Sequence, residues 1–231
     1  VNLKYNGYSY GNYLGNNEEI QIELNPLLDP SSNLKAIFNK AKKASKAIIE
    51  IQKQIDKVLN EIHYLNTILF QLSIANNNDL EQIKQELVLN GYIKSNLKTK
   101  KKPQKIDLLS YNIEDVIIYV GKNTTQNDYL THKLAASNDY WFHVQKLSGS
   151  HVIVKVPENN PNYEMSELVI RTAANLAAYY STGKTSSSVP VDYTKVRFWK
   201  KVPGMKGSFV TMVNQKTIYI DPDIELINKL K

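Results

Sequence analysis

The stretch that decides the fold is Val116 to Lys155, VIIYVGKNTTQNDYLTHKLAASNDYWFHVQKLSGSHVIVK. Val116 to Val120 is an apolar, β-branched run closed by Gly121, the signature of a buried strand. Asn123 and Thr124 offer N-cap oxygens, and Thr125 to Ala135 has helical composition with Leu130 and Leu134 four apart. Asn138-Asp139 breaks that helix, and Tyr140-Trp141-Phe142-His143-Val144 predicts an aromatic strand. Ser148-Gly149-Ser150 is a turn, and Val152-Ile153-Val154 is a third strand with His151 at its mouth. Strand, short helix, strand, turn, strand makes a compact unit whose polar residues gather at element ends, where sites usually lie.

Working outward, the chain of 231 residues has room for one ordinary domain plus an extension, or for two small domains. A hydrophobic content of 42% supports a real core. No apolar run approaches the ~20 residues that cross a bilayer, and Val1 to Leu14 has no apolar core of a signal peptide. Cysteine is absent, which excludes disulfides and thiolate metal sites and favours a reducing, cytoplasmic setting. The net charge of +7 suits nucleic acid or another anionic surface. From Ile106 onward, however, 14 basic residues face 12 acidic ones, so positive potential there must be a local patch.

Upstream, residues 1–33 form an extension. Tyr5, Tyr8, Tyr10 and Tyr13 among Asn and Gly read as loosely ordered chain or, alternatively, a stacking surface. Glu19 to Leu24 alternates strictly and predicts a half-buried strand, stopped by Asn25-Pro26 and Asp29-Pro30, with Ser31, Ser32 or Asn33 available to cap the next helix. Residues 34–92 are predicted as a helical arm. Leu34, Ile37, Ala41, Ala44, Ile48, Ile51, Ile55, Val58, Ile62, Leu65, Leu69 and Leu72 recur at spacings of three and four without Gly or Pro between them. That is a coiled-coil seam, on a helix of ~60 Å at ~1.5 Å per residue, and it requires a partner. A second stripe, Leu80, Ile83 and Leu87, covers about a third of it, with Asp79 as the expected cap. His63, one past Ile62, reads as a solvated flank. Residues 93–105 form a basic linker, KTKKKPQK over Lys98 to Lys105, that is either solvated or a phosphate contact.

Within 106–231, Tyr163 to Tyr180 is expected to be a helix whose Leu168, Ala174, Ala177 and Ala178 pack closely on a sheet. Asp192 to Trp199, Ser208 to Val213 and Lys216 to Ile220 read as strands, the last two as a hairpin about Asn214-Gln215, with a short helix after Asp221-Pro222-Asp223. The fold class expected is α+β: a long coiled-coil arm followed by one mixed-sheet domain with helices mainly on one face.

Catalytic chemistry finds little footing. Gly183-Lys184-Thr185 fails as a phosphate-binding loop, because Ala178 stands where that motif needs its first Gly and a helix precedes it. His132, His143 and His151 lack the close spacings of a metal pair and read as neutral imidazoles at strand ends, though His143 and His151 flank one turn and could donate to a phosphate or base edge. Asp128 and Asp139 could act as bases, but no nucleophile accompanies them. No enzyme, no metal and no cofactor is expected. Nucleic-acid binding does better, since lysines and arginine alternate with aromatics. The candidate contacts are Lys122, Asn123, His132, Lys133, Trp141, His143, His151, Lys184, Arg197, Lys200, Lys201 and Lys206. Lys200-Lys201 with Gly204 to Gly207 is the best phosphate cradle.

Several of these runs carry a family resemblance. GKNTTQNDYLTHKLA (Gly121–Ala135), NDYWFHVQ (Asn138–Gln145), GSHVIVK (Gly149–Lys155), PVDYT (Pro190–Thr194), VPGMKG (Val202–Gly207) and TIYIDPD (Thr217–Asp223) resemble, in order, the NFACT-R domain of RqcH-like ribosome quality-control proteins, long called fibronectin-binding proteins. LNPLLDPSSN (Leu24–Asn33) and the long helix resemble the segment joining that family's coiled coil to NFACT-R. The resemblance implies a C-terminal portion of a cytosolic, non-enzymatic factor. Such a factor binds the large ribosomal subunit and tRNA at stalled peptidyl-tRNA and, through the whole protein with alanyl-tRNA, supports template-free alanine tailing. It also implies that the seam's partner is an upstream helix; alone, the chain could pair with itself. The other readings are a fibronectin-binding surface adhesin, against which the missing signal peptide and anchor are expected to count, and an RNA-acting enzyme of unknown reaction.

Overall fold

The computed structural model describes residues 8–11, 19–94, 106–158, 160, 163–201, 207–208 and 210–230. The chain divides into two compact units, Val1–Leu59 and Asn60–Lys231, with the division inside the long helix. The basic run Lys98 to Lys105 lies outside the described residues, as do most of the N-terminal tyrosine segment and the loop from Val202 to Lys206.

In the first unit, β1 (Tyr8–Gly11) and β2 (Glu19–Ile22) pair antiparallel, Tyr8 opposite Ile22. The predicted strand is present, and its partner comes from the tyrosine-rich stretch expected as loose chain or stacking surface. The helix α1 (Pro30–Ile74) begins earlier than expected. Its cap is Asp29, whose carboxylate accepts from the Ser32 backbone at 2.9 Å and the Ser32 hydroxyl at 2.6 Å, and Pro30 fills the first helical position without wasting a donor. Asn33 is buried instead of capping: its oxygen accepts from Asn25 N and its amide returns to the carbonyls of Asn25 and Leu28.

The seam of α1 has no partner among the described residues. Ile48, Ile55 and Ile62 are 67%, 45% and 50% exposed, so of the two partners expected, one within the chain or a second copy, the first is not found among the described residues. The second helix, α2 (Asn77–Leu89), is capped by Asn76 with Asp79 bonding back, a capping box rather than a cap at Asp79. It docks on a different stripe of α1, where Tyr64 and Ile68 pack against Ile83 with Ala75 and Leu87 alongside. Leu65, Leu69 and Leu72 therefore stay open beside it.

The second unit centres on a six-stranded sheet: β3 (Leu109–Ile113), β4 (Val116–Val120), β5 (Tyr140–Val144), β6 (Val152–Lys155), β7 (Val189–Lys195) and, after a separate hairpin, β10 (Lys216–Ile220). Their spatial order is β10-β7-β5-β6-β4-β3 and every pairing is antiparallel, so the α+β class holds while the sheet is not mixed. Short turns join only β3 to β4 and β5 to β6; β4 reaches β6, and β5 reaches β7, across segments that include α-helix, and these pairs are antiparallel as well. β3 adds a strand beyond those expected. It turns into β4 through Glu114, which takes φ 50°.

Both faces of the sheet are covered. On one lie α4 (Glu167–Tyr179) and α5 (Ile224–Lys229). Ala173, Ala174, Ala177 and Ala178 let α4 approach Ile118, Phe142, Val152 and Val154 with no exposed surface left, whereas Leu168, expected on that face, is 53% exposed. On the other face, Trp141 and Ile153 are covered by Leu130 and by β8 (Trp199–Lys201) and β9 (Val210–Met212). The predicted hairpin of Ser208–Val213 with Lys216–Ile220 does not form. β9 pairs β8, and β10 leaves through Asn214 (φ 54°) to pair β7, placing Ile218 and Ile220 on the main core.

The helix α3 (Thr124–Tyr129), continuing as a π-helical turn over Leu130–Leu134, closes that second face. Its start holds a buried network. Lys122 Nζ donates to Asp79, Gln126 Nε2 donates to the other Asp79 oxygen at 2.6 Å, and Asn123 Nδ2 donates to Gln82 Oε1 at 2.8 Å. Lys122→Met would leave the carboxylate of Asp79 buried without its cation, which costs about 3–5 kcal/mol. The double variant Lys122→Met with Asp79→Leu should lose appreciably less, a difference that urea unfolding of the two proteins will measure.

Candidate nucleic-acid interface

The structure sorts the sequence-predicted contacts into distinct places. Lys122 and Asn123 are buried at 8% and 1% exposure, and this corrects their reading as nucleic-acid contacts. The ammonium of Lys122 is held by Asp79, and Asn123 caps α3 by accepting from Gln126 N at 2.9 Å. Trp141, 1% exposed, is no residue of the open surface: it is buried in a cluster with Leu130 and Ile153, and His143 stacks on its ring. Asp139 is no free base. Its carboxylate accepts from Ala136 N, Val156 N and Lys155 Nζ at 2.7 to 3.0 Å.

Four predicted residues do gather at the surface. Val196 N donates to Asp139 O and Arg197 N to Ser137 O, which ties the stretch before β8 to the end of the π-helical turn. This brings His132 edge-on to Trp199 at 5.3 Å between ring centroids, and their neighbours along the chain, Lys133, Arg197 and Lys200, are exposed. Arg197 donates to Asn138 Oδ1 at 3.2 Å and its guanidinium lies over the Phe198 ring at 5.0 Å. Lys195 sits over Tyr140 at 5.3 Å. An acidic group, Asp128, stands at this patch's edge, 4.0 Å from His132 Nε2 and accepting from Ser208 Oγ at 2.9 Å. Lys201 ends β8 opposite Val210, and Lys206 lies outside the described residues. Lys184 is exposed on the turn after α4.

His143 and His151 belong to a cavity of about 360 Å³ with Trp141. His143 stacks on Trp141 (5.6 Å, 12° between planes), and His151 meets both edge-on at 5.3 and 5.4 Å. The backbone N–H of His151 donates to Asn127 Oδ1, which a Cβ at Gly121 would strike, so the glycine there is required by close approach. The far wall comes from α1, through His63, Tyr64, Thr67 and Gln71. His63 thus lines a wall instead of standing as a solvated flank. The signal for it in the sequence is a second stripe, Tyr64, Thr67, Ile68 and Gln71, running beside the seam at helical spacing. Among the described residues no group of His, Asp and Glu could hold a metal ion.

With this geometry in hand, the comparisons decide the family. A family model described as the NFACT N-terminal and middle domains matches residues 4–106, and one described as the NFACT protein RNA binding domain matches 108–211. The chain belongs to the NFACT family. The Rqc2 homolog RqcH of Bacillus subtilis is 40% identical over 216 residues, covering 92% of this chain and 37% of that protein. Coiled-coil domain-containing protein 25 of Mus musculus is 29% identical over 122 residues, 52% of this chain and 58% of that protein. A solved structure, the C-terminal part of the fibronectin/fibrinogen-binding protein from Streptococcus suis, superposes with a TM-score of 0.77 at 33% identity, over 87% of this chain and 80% of that one. This NFACT chain thus spans well under half the length of its RqcH relatives. No helix among the described residues is long and apolar enough to cross a membrane.

Burial lowers the pKa of His143 from its ordinary 6.5; His63 adds to this, while hydrogen bonding to the Gly149 carbonyl and the charge of Asp192 oppose it. Protonation is then easier in the unfolded chain. The histidine's contribution to stability is full above pH 6.5 and is lost as the pH falls below it. His143→Gln should flatten the decline in unfolding free energy between pH 7 and pH 5, read by urea titrations across about that range.

Proposed function

We propose that this chain is the RNA-binding C-terminal part of an RqcH-type ribosome quality-control factor. It acts in the cytoplasm at the large ribosomal subunit and tRNA of stalled peptidyl-tRNA complexes. There the whole protein, with alanyl-tRNA, supports template-free addition of alanine to the nascent chain. Its own contribution is binding and positioning, with no bond-making step. The observation that carries the reading is the contact of His132 with Trp199 and the exposed Lys133, Arg197 and Lys200 next to them along the chain, on a domain matched by an RNA-binding family. Cations on short, fixed segments neutralise phosphates, and their mutual spacing is set by the bonds from Val196 and Arg197 into the Ser137–Asp139 turn. Arg197 over the Phe198 ring, and the neighbouring Lys195 over Tyr140, are cations held in place against aromatic faces.

A second reading, attachment to fibronectin, is favoured by the likeness to the Streptococcus suis protein described as binding fibronectin and fibrinogen. The two part on salt and on charge. Lys133→Ala, Arg197→Ala and Lys200→Ala together should weaken binding to large subunits or tRNA and lower the slope of log K against log salt by about 0.7 to 0.9 per contact removed. An unchanged slope, with fibronectin bound as tightly as before, would favour the second reading.

The uncovered seam supports a paired state, with the upstream helix in the whole protein or with a second copy of this chain alone. Sedimentation velocity over a concentration series should show self-association by the chain, and Ile55→Lys with Ile62→Lys should abolish it. A monomer at every concentration would remove self-pairing.

A further inference from the structure

The cavity beneath the β8–β9 hairpin is built for more than neutralising phosphates. We propose that it receives a single unstacked nucleobase from the RNA held on the adjoining basic surface. The proposal deepens the RNA-binding reading and rests on it.

Three observations converge. The first is size and place. At about 360 Å³ the cavity lies at the small end of ligand pockets, which run from ~300 to ~1,000 Å³, enough for one base or nucleoside but not for a length of strand. Val210 and Met212 form part of its wall, and these belong to the hairpin whose other strand carries Trp199 and Lys200, paired with Met212 and Thr211. A strand lying on that surface therefore passes within reach of the cavity.

The second is the chemistry of the wall. Trp141, His143 and His151 make an aromatic side whose rings contact one another at 5.3 to 5.6 Å. Gln71 Oε1 and Trp141 Nε1 are buried with no hydrogen-bond partner among the described residues, and both side chains line this cavity. A buried acceptor and a buried donor left unmade on the two sides of one cavity are costly unless something supplies the complement. A nucleobase edge does so, because it sets donors beside acceptors in one plane, and its face suits an aromatic wall.

The third is charge. Among the described lining residues Lys146, exposed, is the only lysine or arginine, and Asp192 contributes a carboxylate engaged by the Thr217 hydroxyl at 2.6 Å. The described lining thus offers no buried lysine or arginine to hold a phosphate inside. The base enters and the sugar-phosphate remains outside with the surface cations.

The test uses the whole chain with Trp199→Phe, which leaves Trp141 as its one tryptophan. Adenosine, guanosine, cytidine and uridine are titrated separately against this variant, watching indole fluorescence, and a short single-stranded RNA is titrated in parallel against the chain that keeps Trp199. At least one nucleoside should quench saturably. Val210→Phe, which fills the cavity, should abolish the quench and weaken RNA binding by about tenfold. Gln71→Met removes the acceptor with little change of volume and should weaken nucleoside binding if Val210→Phe fails to fold. Arg197→Ala should weaken RNA binding and leave the nucleoside titration unchanged. If no nucleoside binds, and RNA affinity in a folded cavity variant stays within about twofold, the pocket is overturned while RNA binding stands. If nucleosides bind and are lost in Val210→Phe but the chain holds no RNA, the pocket stands and the wider reading falls. If neither binds, both are overturned.

Discussion

The ammonium of Lys122 against the carboxylate of Asp79 is the contact on which the second unit depends. Both groups are buried, at 8% and 2% exposure, and isolated burial of either charge would cost several kcal/mol. What makes the pair tolerable is saturation: Asp79 also accepts from Gln126 and from the backbone of Asn76. A hydrophobic contact could hold α2 against α3 as strongly, but would accept many registers. A fully bonded charge pair accepts one. Through Asn76 the same carboxylate fixes the start of α2, and through Gln126 it fixes the first turn of α3.

From that fixed turn the rest of the second face is built. The α3 segment and its π-helical extension place Leu130 on Trp141, and Asn127 receives the backbone of His151. The final third of α1 supplies the opposite wall of the cavity, with Thr67 Oγ1 2.9 Å from Ser148 Oγ. A sheet covered on one face by helices and on the other by a helix and a hairpin can keep one side purely structural. The other is then free to carry a mouth and a charged rim. The alanines of α4 serve the first task, while the aromatic and imidazole rings of β5 and the His151 turn serve the second.

How much of this is legible in the chain varies with the kind of signal. The strands at Val116 and Tyr140 and the helix over the alanine run are readable because period and composition agree there. The heptad is readable for the same reason, yet its partner is not. Exposed Ile48 and Ile55 show that a seam specifies an appetite, not who satisfies it. The β8–β9 pairing is easily misread because Asn214-Gln215 looks like a hairpin turn, while register with β7 is decided by Ile218 and Ile220 finding the core. For the site, surface cations such as Arg197 and Lys200 are visible as charges on short segments. Lys122 and Asn123 mislead because a buried charge and an exposed one look alike until their partners, 43 and 41 residues away, are known. The cavity is invisible for a related reason: its walls come from segments as distant as His63 and Met212.

The order of strands has a kinetic consequence. β5 is flanked by β6, which is made soon afterwards, and by β7, which is not made until residue 189. Ile227 on α5 is wholly enclosed, and Asn175 and Asp223 exchange two hydrogen bonds across 48 residues. During synthesis, the β3–β6 portion can assemble early but must wait with an open flank and a partly uncovered apolar face. Such long-range closure is slow and leaves a nascent species prone to sticking. A protein of this build spends its most vulnerable moments as a half-finished sheet whose last strand is still being made.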